Sequence, residues 1–202
     1  MRLLLIADSH GHGMEKALAT QRPDLVMLCI IVGSQNGAIQ AQYARRLTAV
    51  QRFRPDAILV HFGHNDMVHH PRHNPTPHHG KYFFPTVLGF VQVLRANHPL
   101  SRIIYSSPFP RTMSATMTVS QRFIYNRVAV RFGAMSRSSA NQEGYECVLN
   151  SGLWLRVRKW IERPGNYLPD GLHLNPEGQR IVAEGWIAKL YPAEDVDENV
   201  AS

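Results

Sequence analysis

A chain of 202 residues with 44% hydrophobic content is long enough for one domain with its own core, and its two cysteines exclude a disulfide framework. No apolar run reaches the length of a membrane span, and Met1-Arg2 leads directly into a four-residue apolar run too short for a secretory signal, so an intracellular setting, cytoplasmic or nuclear, is expected. The formal charge of +7 admits an anionic membrane surface or a nucleic acid as partner and selects neither.

The stretch Leu3-Leu4-Leu5-Ile6-Ala7 reads as a buried parallel strand opening into the loop Asp8-Ser9-His10-Gly11. Gly11-His12-Gly13 turns the chain into a short helix, Met14 to Thr20, and Pro23-Asp24 resets it for a second strand, Leu25 to Val32. The turn from Gly33 to Gly37 runs into a helix with Ile39, Tyr43, Leu47 and Val50 on one face, while Arg45, Arg46 and Arg52 form a solvated basic face. Pro55-Asp56 introduces a third strand, Ala57 to Phe62, which ends at Gly63-His64-Asn65-Asp66. Each strand is followed by a turn and then by helix-like or loop sequence, the alternation of parallel β-α-β units.

From Met67 to Pro85 the pattern is lost. Seven of the eleven histidines lie between His61 and His79, interleaved with Pro71, Pro75 and Pro77, and a long irregular loop is predicted after Met67. A zinc site there is disfavoured, because no cysteine is near and Pro71 prevents a helix from aligning His69 with His73. The loop leaves the third strand at the edge where ligands bind, so it should rim the substrate pocket, with Phe83 and Phe84 as apolar contacts or as anchors of the next helix.

Helical sequence resumes from Thr86 to Asn97, and Arg102 to Ser106 makes a fourth strand. A helix is predicted from about Val119 to Met135, a polar loop from Ser136 to Gly144, and a fifth strand from Tyr145 to Leu149. Leu153 to Ile161 reads as an amphipathic helix, either lying against an anionic surface or, as is commoner, with Trp154 and Trp160 inward and Arg156, Arg158 and Lys159 in water. Pro176 suits the first turn of a last helix reaching Tyr191. The domain is thus expected to span residues 1–192, with 193–202 as a frayed acidic tail. The expected architecture is an α/β/α sandwich around a five-stranded parallel sheet.

In such a sheet the loop after the first strand lies at the ligand-binding carboxyl edge. A serine there becomes a nucleophile only with a base to take its proton and donors for the oxyanion it creates. Asp170-Gly171-Leu172-His173 supplies a carboxylate and an imidazole on one short loop. His173 would act as base toward Ser9, with Asp170 fixing its tautomer.

These residues resemble the SGNH hydrolases, a branch of the GDSL-type esterases and lipases marked by four blocks carrying Ser, Gly, Asn and His in that order. Ala7-Asp8-Ser9-His10 is similar to the first block with alanine in place of the usual glycine; Gly63-His64-Asn65-Asp66 matches G-x-N-D, and Asp170-Gly171-Leu172-His173 matches D-x-x-H. For the looser second block Gly37 fits the spacing to Arg46-Leu47 better than Gly33, which is the reserve. The resemblance implies a serine esterase or lipase needing no cofactor or metal and acting on small-molecule or lipid acyl esters. Its triad would be Ser9, Asp170 and His173, and its oxyanion donors the amides of Ser9 and Gly37 with the side chain of Asn65. The wording Asp170-Gly171-Leu172-His173-Leu174 also looks like esterase domains of retrotransposon proteins.

Two rivals start from the same residues. Asp8-Ser9-His10-Gly11 is similar to the D-x-H-G opening of metallophosphoesterases, with Asp8 and His10 as metal ligands, but Val32 to Ile39 offers no bridging carboxylate and His173 is the only histidine after His98. A non-catalytic nucleic-acid or membrane-binding module on a hydrolase fold is the other, permitted by the basic charge.

Overall fold

The computed structural model describes residues 1–33, 36–64, 79–109, 126, 129–130, 133–134, 137–138, 140, 144–150, 168–169 and 173–192, with the side chains of 36 and 79–86 excepted. Five strands form one parallel sheet: β1 Arg2–Ala7, β2 Val26–Ile31, β3 Ala57–His61, β4 Arg102–Ser106 and β5 Glu146–Val148, in the order β2-β1-β3-β4-β5. The described helices are α1 Met14–Gln21, α2 Asn36–Arg45, α3 Leu47–Phe53, α4 His79–Asn97 and α5 Pro176–Leu190. None of them is long and apolar enough to cross a membrane. This order is that of the doubly wound flavodoxin-like sheets, whose topological switch point lies between β1 and β3.

Because side chains alternate along a strand, the continuous apolar runs of β1, β3 and β4 are divided between two cores. Leu3, Leu5, Ala7, Leu59 and Ile104 pack on one face against Met14 and Leu18 of α1 and Val182, Ala183 and Trp186 of α5. Leu4, Ile6, Ile58, Val60 and Tyr105 pack on the other face against Ile39 and Tyr43 of α2, Val50 of α3 and Phe90 and Leu94 of α4. Two layers of helix therefore bury both faces of the sheet.

Several elements depart from the sequence reading. The helix expected to run continuously from Gly37 divides at Arg46, whose N–H is shared between the carbonyls of Gln42 (3.2 Å) and Tyr43 (3.0 Å). No glycine or proline marks that break. Helix α4 begins at His79, so residues 79–85 of the supposed irregular segment are helical, and Pro85 lies inside the helix. There it forgoes the hydrogen bond that its missing N–H would have made, and the helix continues through it to Asn97. Arg137, Ser138 and Ala140, assigned to a polar loop, are also helical, and Ala140 is buried and accepts from Tyr145 N at 3.1 Å. The segment 65–78, most of the helix predicted over 119–135, the Trp154 and Trp160 stretch and the acidic tail lie outside the described residues.

Cys29 on β2 and Cys147 on β5 are free thiols at opposite edges of the sheet, with three strands between them, and burial pushes them up to about 11 and about 12. Arg102 of β4 joins the edge strand to α5: it forms a two-pronged ion pair with Glu146 (2.8 and 3.0 Å) and donates to the carbonyls of Lys189 and Leu190. That clamp fixes the far end of the helix whose near end carries His173.

Candidate active site

The turn after β1 is built by close packing. Asp8 N donates to the carbonyl of His61 at 3.1 Å, holding the first residue of the turn to the end of β3. Residues Ser9–Gly11 then form one turn of 3-10 helix capped by the Asp8 carboxylate, which accepts His10 N at 3.0 Å. Gly11 is needed there, since a Cβ would come within 2.6 Å of the Ala7 side chain. Gly13 has a φ of +82° and is covered by the Gln179 side-chain amide, which leaves no room for a Cβ.

Gln179 belongs to α5, and its amide also donates to the carbonyl of Leu174 at 3.1 Å. Helix α5 starts with Asn175 as N-cap, accepting Gly178 N at 2.9 Å, and with Pro176 in its first turn. His173 therefore sits two residues before a well-capped helix that is docked on the β1 turn. By this route two residues 164 apart in sequence come together: Ser9 Oγ lies 3.4 Å from His173 Nε2. That separation is at the long end of a hydrogen bond, as nucleophile–base couples without substrate often are. Ser9, His10, His12, His173, Leu174 and Gln179 line a cavity of about 230 Å³ beside the pair.

Gly33 lies close by, where a Cβ would be 3.9 Å from that of Ser9; at Gly37, in the first turn of α2, a Cβ would meet nothing within 4 Å. Asn65 and Asp170 lie outside the described residues, as do the side chains of Phe83 and Phe84. The backbone of those two phenylalanines is part of α4.

Beneath Ser9 is a group the sequence reading did not assemble. Asp8, His10, His61 and His64 are all buried. The Asp8 carboxylate accepts the His10 ring Nδ1 at 2.8 Å on one oxygen and faces His64 Nδ1 at 3.5 Å with the other. Burial alone would raise the Asp8 carboxyl; the hydrogen bonds from His10 and His64 outweigh it and hold Asp8 well below the usual carboxylate range. His61 Nδ1 lies 3.2 Å from both the carbonyl and the hydroxyl of Ser106, and the same hydroxyl accepts Trp186 Nε1 at 2.8 Å. Burial pushes His61 down to about 4 and His64 well below its ordinary value, so both rings are neutral at pH 7.

Asp8, His61 and His64 bring one ligand atom each to within 4.8 Å of one another, which raises the question of a metal. The donor set does not fit one. His64 Nε2 accepts the backbone N–H of Phe109 at 3.1 Å, so the single proton of the neutral ring resides on Nδ1, the atom turned toward Asp8. Ligation through Nδ1 would set an Nε2 proton against that N–H. Asp8 and His10, the ligands expected of the phosphoesterase alternative, are hydrogen-bonded to each other through Oδ1 and Nδ1.

The model of the GDSL-like lipase/acylhydrolase family matches residues 8–181. The chain belongs to that family. No curated protein matches it. An acetyl xylan esterase superposes with a TM-score of 0.69 at 16% identity, covering 94% of this chain and 100% of that one. An acetylxylan esterase from Geobacillus stearothermophilus, solved as a catalytic mutant, gives 0.67 at 17% identity over 94% of this chain and 93% of the other. A lipase/acylhydrolase from Enterococcus faecalis gives 0.60 at 15% identity, covering 94% of each chain. At these identities the structures establish the shared fold, the SGNH-type α/β sandwich, and the family match makes this GDSL-like acylhydrolase a carboxylic ester hydrolase.

Proposed function

We propose that this GDSL-like acylhydrolase cleaves short carboxylic esters, acetyl esters foremost, with Ser9 as nucleophile and His173 as base. The reading is carried by the 3.4 Å approach of Ser9 Oγ to His173 Nε2 at the carboxyl edge of the sheet, beside the switch point between β1 and β3. Ser9 Oγ attacks the acyl carbon as its proton passes to His173 Nε2; the imidazolium returns that proton to the departing alkoxide, leaving an acyl-serine and a free alcohol. Water, deprotonated by the same imidazole, then releases the acid and restores the hydroxyl. Asp170, three residues before His173, is assigned to orient the ring and stabilise the imidazolium.

For the oxyanion we assign the Ser9 amide, a glycine amide and the side-chain amide of Asn65. The approach of Gly33 to Ser9 favours it as the glycine donor; Gly37, whose N–H in the first turn of α2 has no intrahelical acceptor, is the alternative. The cavity of about 230 Å³ supports a small acyl or alcohol group, being smaller than the roughly 300 to 1,000 Å³ common for larger ligands. The acetyl esterases among the similar structures point the same way. Phe83 and Phe84, at the beginning of α4, are assigned to the rim.

The discriminating assay is hydrolysis of p-nitrophenyl acetate in excess EDTA. Full activity in the chelator is expected, with acetate preferred over octanoate. Loss of activity in EDTA that manganese or zinc restores would replace the serine mechanism by the phosphoesterase alternative.

A further inference from the structure

The buried histidines beneath Ser9 form a stack that ends on the proposed base. His64 and His10 lie face to face, with ring centroids 3.8 Å apart and planes 25° from parallel; His10 in turn stacks on His173 at 5.2 Å and 29°. The middle ring is the best anchored of the three. Asp8 takes both its backbone N–H at 3.0 Å and its ring Nδ1 at 2.8 Å, and the edge contact with Phe109, at 4.9 Å, closes another side. His173, by contrast, is exposed. Attack by Ser9 requires one orientation of the His173 ring.

We infer that His10 is a positioning residue: clamped by Asp8 and backed by His64, it offers a fixed ring face against which His173 lies with its Nε2 toward Ser9 Oγ. The inference rests on the serine-esterase reading for its catalytic consequence, but not for the contact itself.

The test is His10→Asn, which keeps an N–H for Asp8 and removes the ring. Two readouts are taken: the NMR chemical shifts of the His173 ring protons at one pH, and kcat and KM for p-nitrophenyl acetate. The expected result is a downfield move of the His173 ring protons, as the ring current of His10 is lost, and a kcat reduced about tenfold with little change in KM. Unchanged His173 ring shifts, or an unchanged kcat in an active enzyme, would overturn the inference. A wild-type protein that hydrolyses no ester would count against the esterase reading alone, since the ring shifts still decide this one. Should His10→Asn fail to fold, ring-proton cross-peaks between His10 and His173 in the wild-type protein take its place: their presence, with upfield ring-current shifts on His173, upholds the stack, and their absence overturns it.

Discussion

Ser9→Ala is expected to lower kcat for a short ester by about 10⁴-fold or more while leaving KM nearly unchanged, because the hydroxyl makes its bond only on the way to the transition state. His173→Ala should do much the same, and the double variant should be scarcely worse than either single one, since a nucleophile deprived of its base and a base deprived of its nucleophile are the same lesion. A double variant whose loss is the product of the two single losses would mean that the residues, though 3.4 Å apart, act independently.

The second large effect is on stability in acid. His61 and His64 are buried and stay neutral in the fold, His61 down to about 4, whereas in the unfolded chain each titrates near pH 6.5. Above pH 6.5 neither state holds these protons. As the pH falls below it the unfolded chain binds protons that the native rings refuse, so stability drops by about 1.4 kcal/mol per pH unit for each ring. Between pH 7 and pH 5 the two rings together cost about 4 kcal/mol. Asp8 does not offset this loss: its folded value is depressed, so its contribution persists down through this window and disappears only below the ordinary carboxylate range. Urea unfolding at pH 7 and pH 5 measures the difference, and His61→Gln should roughly halve it. Equal stability at the two pH values would show that the rings reach water in the native protein.

The sheet was legible because a strand buried on both faces is an unbroken apolar run, and Arg102–Ser106 was read to the residue for that reason. Its parallel sense follows from the β-α-β alternation, whereas its order was not read from the sequence. The helices were read less well where punctuation misled. Pro85 looked like a boundary and lies inside α4, while Arg46, which looks like any helical residue, is a break. Ser9 and His173 were singled out by motifs at element ends, and the structure brings them to 3.4 Å of each other; the docking that does so includes Gln179 covering Gly13, a contact with no local signature. The histidine stack was missed because His61 and His64 were grouped by composition with the proline-rich segment that follows. The signal lay in register: His61 alternates with Ala57 and Leu59, so it had to enter the core shared by α1 and α5.

Whether Ser9 is the nucleophile of a metal-independent esterase is decided by covalent capture. The protein is treated in EDTA with a small organophosphonate, and the adduct is located by peptide mass spectrometry. One adduct per chain is expected, on Ser9, formed in step with the loss of ester hydrolysis and absent from Ser9→Ala. Hydrolysis that persists with Ser9 unlabelled, or an adduct that forms elsewhere as activity is lost, would contradict it.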